Sequence, residues 1–373
     1  MPAAAKIERY AYIDWMRGLA CVIMFEVHGY DSWLRDSLRE TTFYRLSQFT
    51  GTIAAPLFLF LAGASLALVS ERMSRKGATP SQIERRMALR GFEIIGLGYL
   101  LRLQEYVMGY PKSPWTDLLR VDILNTIGMS LVLMAVVWRI FKTRAAIASA
   151  SVAISAAIVM AAPLLWTTMR PHWLPWYLES YINGVHTFDT PQVWLFPIFP
   201  WTGFAFAGLA LGCFVFEEWA MENVEKTVGL LGLAGVAIFF ISIAIDRLPV
   251  QLYATYDYWH TSPAFFLARV GALLILFPLS YAWCRWGWGA LKLRPTVWLG
   301  QASLLVYWVH IVFVYGQLSI LKKHQQTIAT ATLGIAIITA AMVLLAWTRL
   351  RWKGHGPELL ARLKSSLRFQ TAR

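Results

Sequence analysis

Four ionisable side chains lie in the first apolar run of the chain, residues 12–30 (YIDWMRGLACVIMFEVHGY): Asp14, Arg17, Glu26 and His28. A guanidinium binds anions, and an imidazole exchanges protons near neutral pH. Such groups are costly at membrane depth and mark sites there. Their spacing is informative. Eleven helical residues turn three times plus about 20°, so Arg17 and His28 share a face, about 16 Å apart along the axis. Asp14 and Cys21 fall on or near that stripe. Glu26 points about 200° away from His28. One helix face thus carries a cation near one membrane surface and an imidazole more than halfway across.

Composition fixes the setting. The 373 residues are 57% hydrophobic and 15% charged, with a mean hydropathy of +0.50. Soluble domains carry about a quarter charged residues. The apolar residues fall in blocks of about 20, the length that crosses a bilayer as a helix. The sequence therefore predicts an all-α, polytopic bundle of about ten spans: 12–30, 52–70, 89–108, 121–140, 145–166, 194–216, 227–246, 263–284, 297–316 and 326–347. Residues 1–350 read as one transmembrane domain and 351–373 as a basic tail.

The net charge of +13 does not indicate nucleic-acid binding. Its Lys and Arg gather between spans and at the C-terminus, which is a positive-inside pattern. The segments with Arg72, Arg75, Lys76, Arg85, Arg86 and Arg90, then Arg139, Lys142 and Arg144, then Arg285, Lys292 and Arg294, read as cytoplasmic. So do both termini, in a cell (inner) membrane. The polar Met1–Met16 segment does not read as a cleavable signal peptide. Cys21, Cys213 and Cys284 are far apart, with no CxxC spacing, and predict neither a metal site nor a disulfide framework.

This orientation puts His28 and His310 in the outer half of the first and ninth spans. Asp122 and Asn125, on one face at i, i+3, open the fourth span on the same side. The loop HTFDT adds His186 and Asp189. Each residue also has a plainer reading. Asp122 can be an N-cap, His186 and Asp189 solvated loop residues, and His310 an interhelical hydrogen-bonding group. Arg90 with Glu93, and Arg102 with Glu105, are i, i+3 pairs that neutralise charge locally. Trp166, Trp173, Trp176, Trp194 and Trp201 form either an interfacial belt or a stacking wall for a sugar ring. Pro197 and Pro200 predict a kink at the start of the sixth span.

Several stretches carry a resemblance: IDWMRGLA (13–20), PLFLFLAGASLAL (56–68), VDILNTIGMSLVL (121–133), FPIFPWTGFAFAGLALG (196–212) and LGQASLLVYWVH (299–310). In this order they resemble transmembrane acyltransferases, in particular the heparan-α-glucosaminide N-acetyltransferase catalytic domain and its bacterial relatives. The resemblance covers about residues 9–316. It implies transfer of an acyl group, acetyl in this family, from cytoplasmic acetyl-CoA to an extracytoplasmic sugar or glycolipid, without a metal. On that resemblance His28, His310 and Asp122 are the catalytic candidates. Arg17, Asp14 and Arg90 fall to the acyl-CoA, and Asn125, His186, Asp189 and Trp201 to the acceptor. His28 sits where the wider sugar O-acyltransferase group has its histidine, so amine and hydroxyl acceptors both stay open. The rival reading is a transporter or permease. Only one Pro-interrupted span is evident, where transporters repeat such breaks in two halves. The acceptor, the acyl chain length and the choice between monomer and homodimer are not encoded legibly.

Overall fold

The computed structural model describes residues 10–184, 196–249, 252–255, 257–286 and 294–370, with side chains to Trp352. Among them are fourteen α-helices, numbered α1–α14 in chain order, and no strand. The chain divides into two compact units, Met1–Gly51 with Ala282–Arg373, and Thr52–Tyr281.

The first unit holds α1 (Ala11–Trp33), α2 (Thr42–Gly51), α12 (Pro295–Gln301), α13 (Ser303–Val314) and α14 (Ile328–Gln370). Its centre is α1, which packs on the other four. The α1–α12 crossing is made by two glycines. A Cβ on Gly18 would sit 1.8 Å from the Thr296 carbonyl oxygen, and one on Gly300 would sit 1.8 Å from that of Asp14. Small residues let helix backbones meet in this way. The last turn of α1 is tied down as well. Its last carbonyls would otherwise lack partners; those of Ser32 and Trp33 accept from the His324 and Gln326 amides at 3.0 and 2.8 Å.

The second unit holds α3 (Ala54–Arg75), α4 (Pro80–Gly109), α5 (Ile123–Ile140), α6 (Arg144–Trp166), α7 (Trp176–Asn183), α8 (Ile198–Val215), α9 (Glu218–Glu222), α10 (Val224–Asp246) and most of α11 (Pro263–Trp286). α8 packs on α3 and α6, and α4 on α5. Gly63 and Gly208 repeat the close approach between α3 and α8, each with a carbonyl 1.9 Å from where its Cβ would be.

The chain is a multi-pass membrane protein. Among the described residues seven helices are long and apolar enough to cross a bilayer, or eight if α12 and α13 count as one broken span. The predicted count of about ten is not reached on this measure, for a physical reason. The other two stretches, α1 and α4, carry Asp14, Arg17, Glu26 and Asp31, and Arg90, Glu93, Arg102 and Glu105. α4 nevertheless exposes Leu89, Phe92, Leu100, Leu103 and Val107, at intervals of three, four and eight as on a lipid-facing stripe.

Two spans are not straight. The ninth, read as continuous from 297 to 316, breaks between Gln301 and Ser303 with a 93° bend. α12 can thus lie on α1 through Gly300 while α13 turns away along a new axis. In α8 the proline-rich start leaves Phe199 non-helical (φ −98°, ψ 121°), as Pro197 and Pro200 predict. The Phe199 carbonyl this releases accepts from the Trp166 indole at 2.9 Å, so it is not left bare in an apolar setting.

Gly18→Ala or Gly300→Ala must push α1 and α12 apart, because the obstructing atoms are backbone. Each should lower stability by about 1–3 kcal/mol, the usual range for overpacking. The melting temperature of the detergent-purified protein checks this, with the exposed Gly229→Ala as control.

Candidate functional site

In the first unit the structure brings His28 and His310 together. His28 Nδ1 lies 2.9 Å from His310 Nε2, and the rings are nearly parallel, 12° apart, with centroids at 5.2 Å. The 93° bend, rather than ten residues of straight rise from Gly300, delivers His310 to this place. His310 is fully buried, against Phe25 and Tyr307 at ring distances of 5.1 and 5.6 Å. Its Nδ1 faces the Val306 carbonyl at 3.2 Å.

These contacts fix the protons of the neutral pair. A carbonyl only accepts, so His310 Nδ1 carries a hydrogen and its Nε2 carries a lone pair. That lone pair accepts from His28 Nδ1–H. The remaining His28 nitrogen, Nε2, is then the basic one. A backbone carbonyl on α13 thereby sets the tautomer of a side chain on α1, as an orienting partner does for catalytic histidines.

Beyond His28, Tyr315 packs edge-on at 5.2 Å and donates to Asp31 at 2.8 Å. Asp31 also accepts from Tyr44 at 3.0 Å and pairs with Arg39. The sequence reading missed Asp31, Arg39, Tyr44 and Tyr315. Asp31 could have been found, since it lies at i+3 from His28; the others come from separate elements. At the other end of α1, Arg17 donates to Asp14 at 3.1 Å, and Asp14 accepts from Gln301 Nε2 at 3.1 Å. Asp14 and Arg17 thus form a braced pair, about 21 and 16 Å of helix rise from His28.

In the second unit Asp122 is the N-cap of α5. It accepts from the Ile123 amide at 2.6 Å, in a capping box with Asn125, and pairs with Arg102. Arg102 also holds Glu105 at 2.7 Å. The structural role of Asp122 is therefore real, and it coexists with a buried, charged setting. Asn125 is fully buried. Its Nδ2 donates to the Tyr181 hydroxyl at 3.1 Å, which meets that of Tyr99 at 2.5 Å. Burial, then the Tyr99 hydrogen bond, raise the Tyr181 pKa above the usual phenol value. Tyr181 therefore stays protonated across the working range.

The remaining candidates are dispersed. Arg90 pairs with Glu93 at 2.9 Å on an exposed face of α4, the plainer of its two readings. Trp201 is buried, its ring 5.0 Å from Phe196 and 6.1 Å from Phe204. His186, Asp189 and Trp194 lie outside the described residues. Among the described residues no group of three or more His, Cys, Asp or Glu side chains is placed to hold a metal ion.

Residues 9–244 match the family profile described as "heparan-alpha-glucosaminide N-acetyltransferase, catalytic", more than half of the chain. The match takes in Arg17, His28, Asp122 and Asn125; His310 lies beyond it. No curated protein matches the chain.

Asp31→Ala removes the acceptor shared by Tyr315, Tyr44 and Arg39 and should lower stability by about 1 kcal/mol, the net worth of a typical hydrogen bond. Asp31→Asn, which keeps a carbonyl acceptor, should lose less. Thermal unfolding of both variants in detergent gives the comparison.

Proposed function

The chain belongs to the heparan-α-glucosaminide N-acetyltransferase catalytic family, and from that premise we propose that it moves an acetyl group from cytoplasmic acetyl-CoA to an amine or hydroxyl of an extracytoplasmic sugar or glycolipid. The observation that carries this reading is the His28–His310 pair, whose proton arrangement leaves His28 Nε2 as a base. The braced Arg17 and the basic inner loops suit the phosphates of CoA, since Arg makes charge-assisted, bidentate contacts. The pantetheine arm then runs along α1 towards His28.

In this reading the acceptor N–H or O–H loses its proton to His28 Nε2 as its heteroatom attacks the thioester carbonyl. The new C–N or C–O bond forms, the C–S bond breaks, and the proton on His28 passes to the departing CoA sulfur. His310 holds His28 in the right tautomer and accepts its Nδ1–H throughout. Asp122 and Asn125 are assigned to the same extracytoplasmic side, Asp122 as an acid–base group and Asn125 on the acceptor, with His186, Asp189 and Trp201 as further acceptor contacts. Arg90 and Asp14 go to the CoA side. Direct transfer is preferred to an acetyl-histidine intermediate, because a histidine partway along α1 is open to a donor from one side and an acceptor from the other.

His28→Ala should lose about 10²–10⁴ in turnover while acetyl-CoA still raises the melting temperature. Turnover near wild type in that variant would end the proposal; a kinetically competent acetyl-His28 peptide would keep the residue and replace direct transfer.

Two further variants separate the roles. Arg17→Ala should weaken CoA binding by about tenfold or more, the worth of a charged hydrogen bond, and an unchanged CoA affinity would remove Arg17 from the phosphate site. His310→Gln, whose carbonyl can still accept from His28 Nδ1, should keep more turnover than His310→Phe. Equal activity in the two would show that His310 does not set the tautomer.

A further inference from the structure

Arg269 is the buried cation that the site above does not use. It lies in the second turn of α11, 4% exposed, and beyond the segment that matches the family. Its guanidinium sits among three rings, Phe265 at 4.3 Å, Phe204 at 5.1 Å and Trp201 at 5.5 Å. Its Nε makes a long bond to its own helix, to the Phe265 carbonyl at 3.4 Å. Nη2 has no acceptor, and no carboxylate pairs with Arg269 among the described residues. The neighbouring Trp201 indole N–H also has no acceptor. Trp201 is itself buried, 8% exposed.

Aromatic faces attract the guanidinium charge but do not accept its N–H groups in place of an oxygen. Each buried donor left without an acceptor costs about 1–3 kcal/mol, and more when charged. An ionisable residue inside a membrane bundle requires a counter-charge or marks a ligand path. Two adjacent donors, one charged and one neutral, have complementary needs: one oxyanion can accept from both. A guanidinium fork suits the oxygens of a phosphate or carboxylate.

We propose that Arg269 and Trp201 form an oxyanion-binding site, and that the oxyanion is a phosphate or carboxylate carried by the sugar acceptor. The place in the unit supports the assignment to the acceptor. Trp201 is the fourth residue of α8 and Arg269 the seventh of α11, so both lie near helix N-termini. The start of α8 is bonded to the start of α5, where Thr126 donates to the Phe196 carbonyl. In the proposed orientation this end is extracytoplasmic, away from the entry of CoA. The assignment to an acceptor rests on the acyl-transfer reading; the binding of an oxyanion does not.

The test is thermal stability of the full chain in detergent with glucose 1-phosphate, glucuronate or neutral glucose, at matched ionic strength. At least one of the two anions should raise the melting temperature in a saturable way, and glucose should not. The phosphate and carboxylate arms distinguish the two sources of charge. Arg269→Gln should abolish the anion response. Trp201→Phe, which keeps the ring and deletes the donor, should weaken it by about tenfold. Both variants should still be stabilised by acetyl-CoA, which verifies their fold and keeps this result separate from the acyl-transfer proposal. If Arg269→Gln does not fold, Trp201→Phe decides. The site is overturned if neither anion stabilises the wild type, or if the folded variants respond as the wild type does.

Discussion

The contact on which the first unit depends is backbone against backbone. Gly18 and Gly300 bring α1 and α12 so close that each helix presses on a carbonyl of the other. This approach does three things at once. It puts Gln301 within reach of Asp14, which steadies Arg17. It fixes the starting point from which α13 bends by 93°. Through that bend it sets His310 beside His28. The charged α1, too polar to be held by lipid alone, is kept in register by packing with no side chain between the two backbones.

The polar groups then follow a common rule. Groups in these spans tend to be paired within their own unit: His28 with His310, Asp31 with Tyr315, Tyr44 and Arg39, Asp122 with Arg102, and Asn125 with Tyr181. In a low-dielectric setting such networks lock geometry, because any rearrangement exposes an unsatisfied group. Rigid placement of this kind is what an acid–base group needs when its partners bind from different sides. Arg269 departs from the rule, and departures at depth are where ligands are to be sought.

Much of this was legible in the sequence. The all-α membrane class followed from composition, and the Arg17–His28 stripe from helical period. Pro197 and Pro200 announced the kink at Phe199. The bend at Ala302 was not read from the sequence: no Pro stands there, and Gly300, Gln301 and Ser303 interrupt the apolar run for only a few residues, so the hydropathy of the span as a whole stays high. Tyr315 and Tyr181 lie far along the chain from their partners, so no local spacing points to them. Arg269 was hidden for another reason: one arginine near a span end reads as a charge that reaches for the interface, and only the packing shows that it is enclosed. The capping role of Asp122 was one of two readings that the sequence allowed, and the structure supplies the capping geometry.

The first unit is assembled from both ends of the chain, residues up to Gly51 and from Ala282 onward. During synthesis α1 is made well before its partners α12, α13 and α14. Until then Asp14, Gly18 and His28 lack the neighbours that hold them, while the second unit is already complete in sequence. The nascent protein therefore carries α1 without these three partners for most of its translation. A chain that stops before Pro295 would retain the whole matched family segment and yet leave α1 with α2 alone of its four partners.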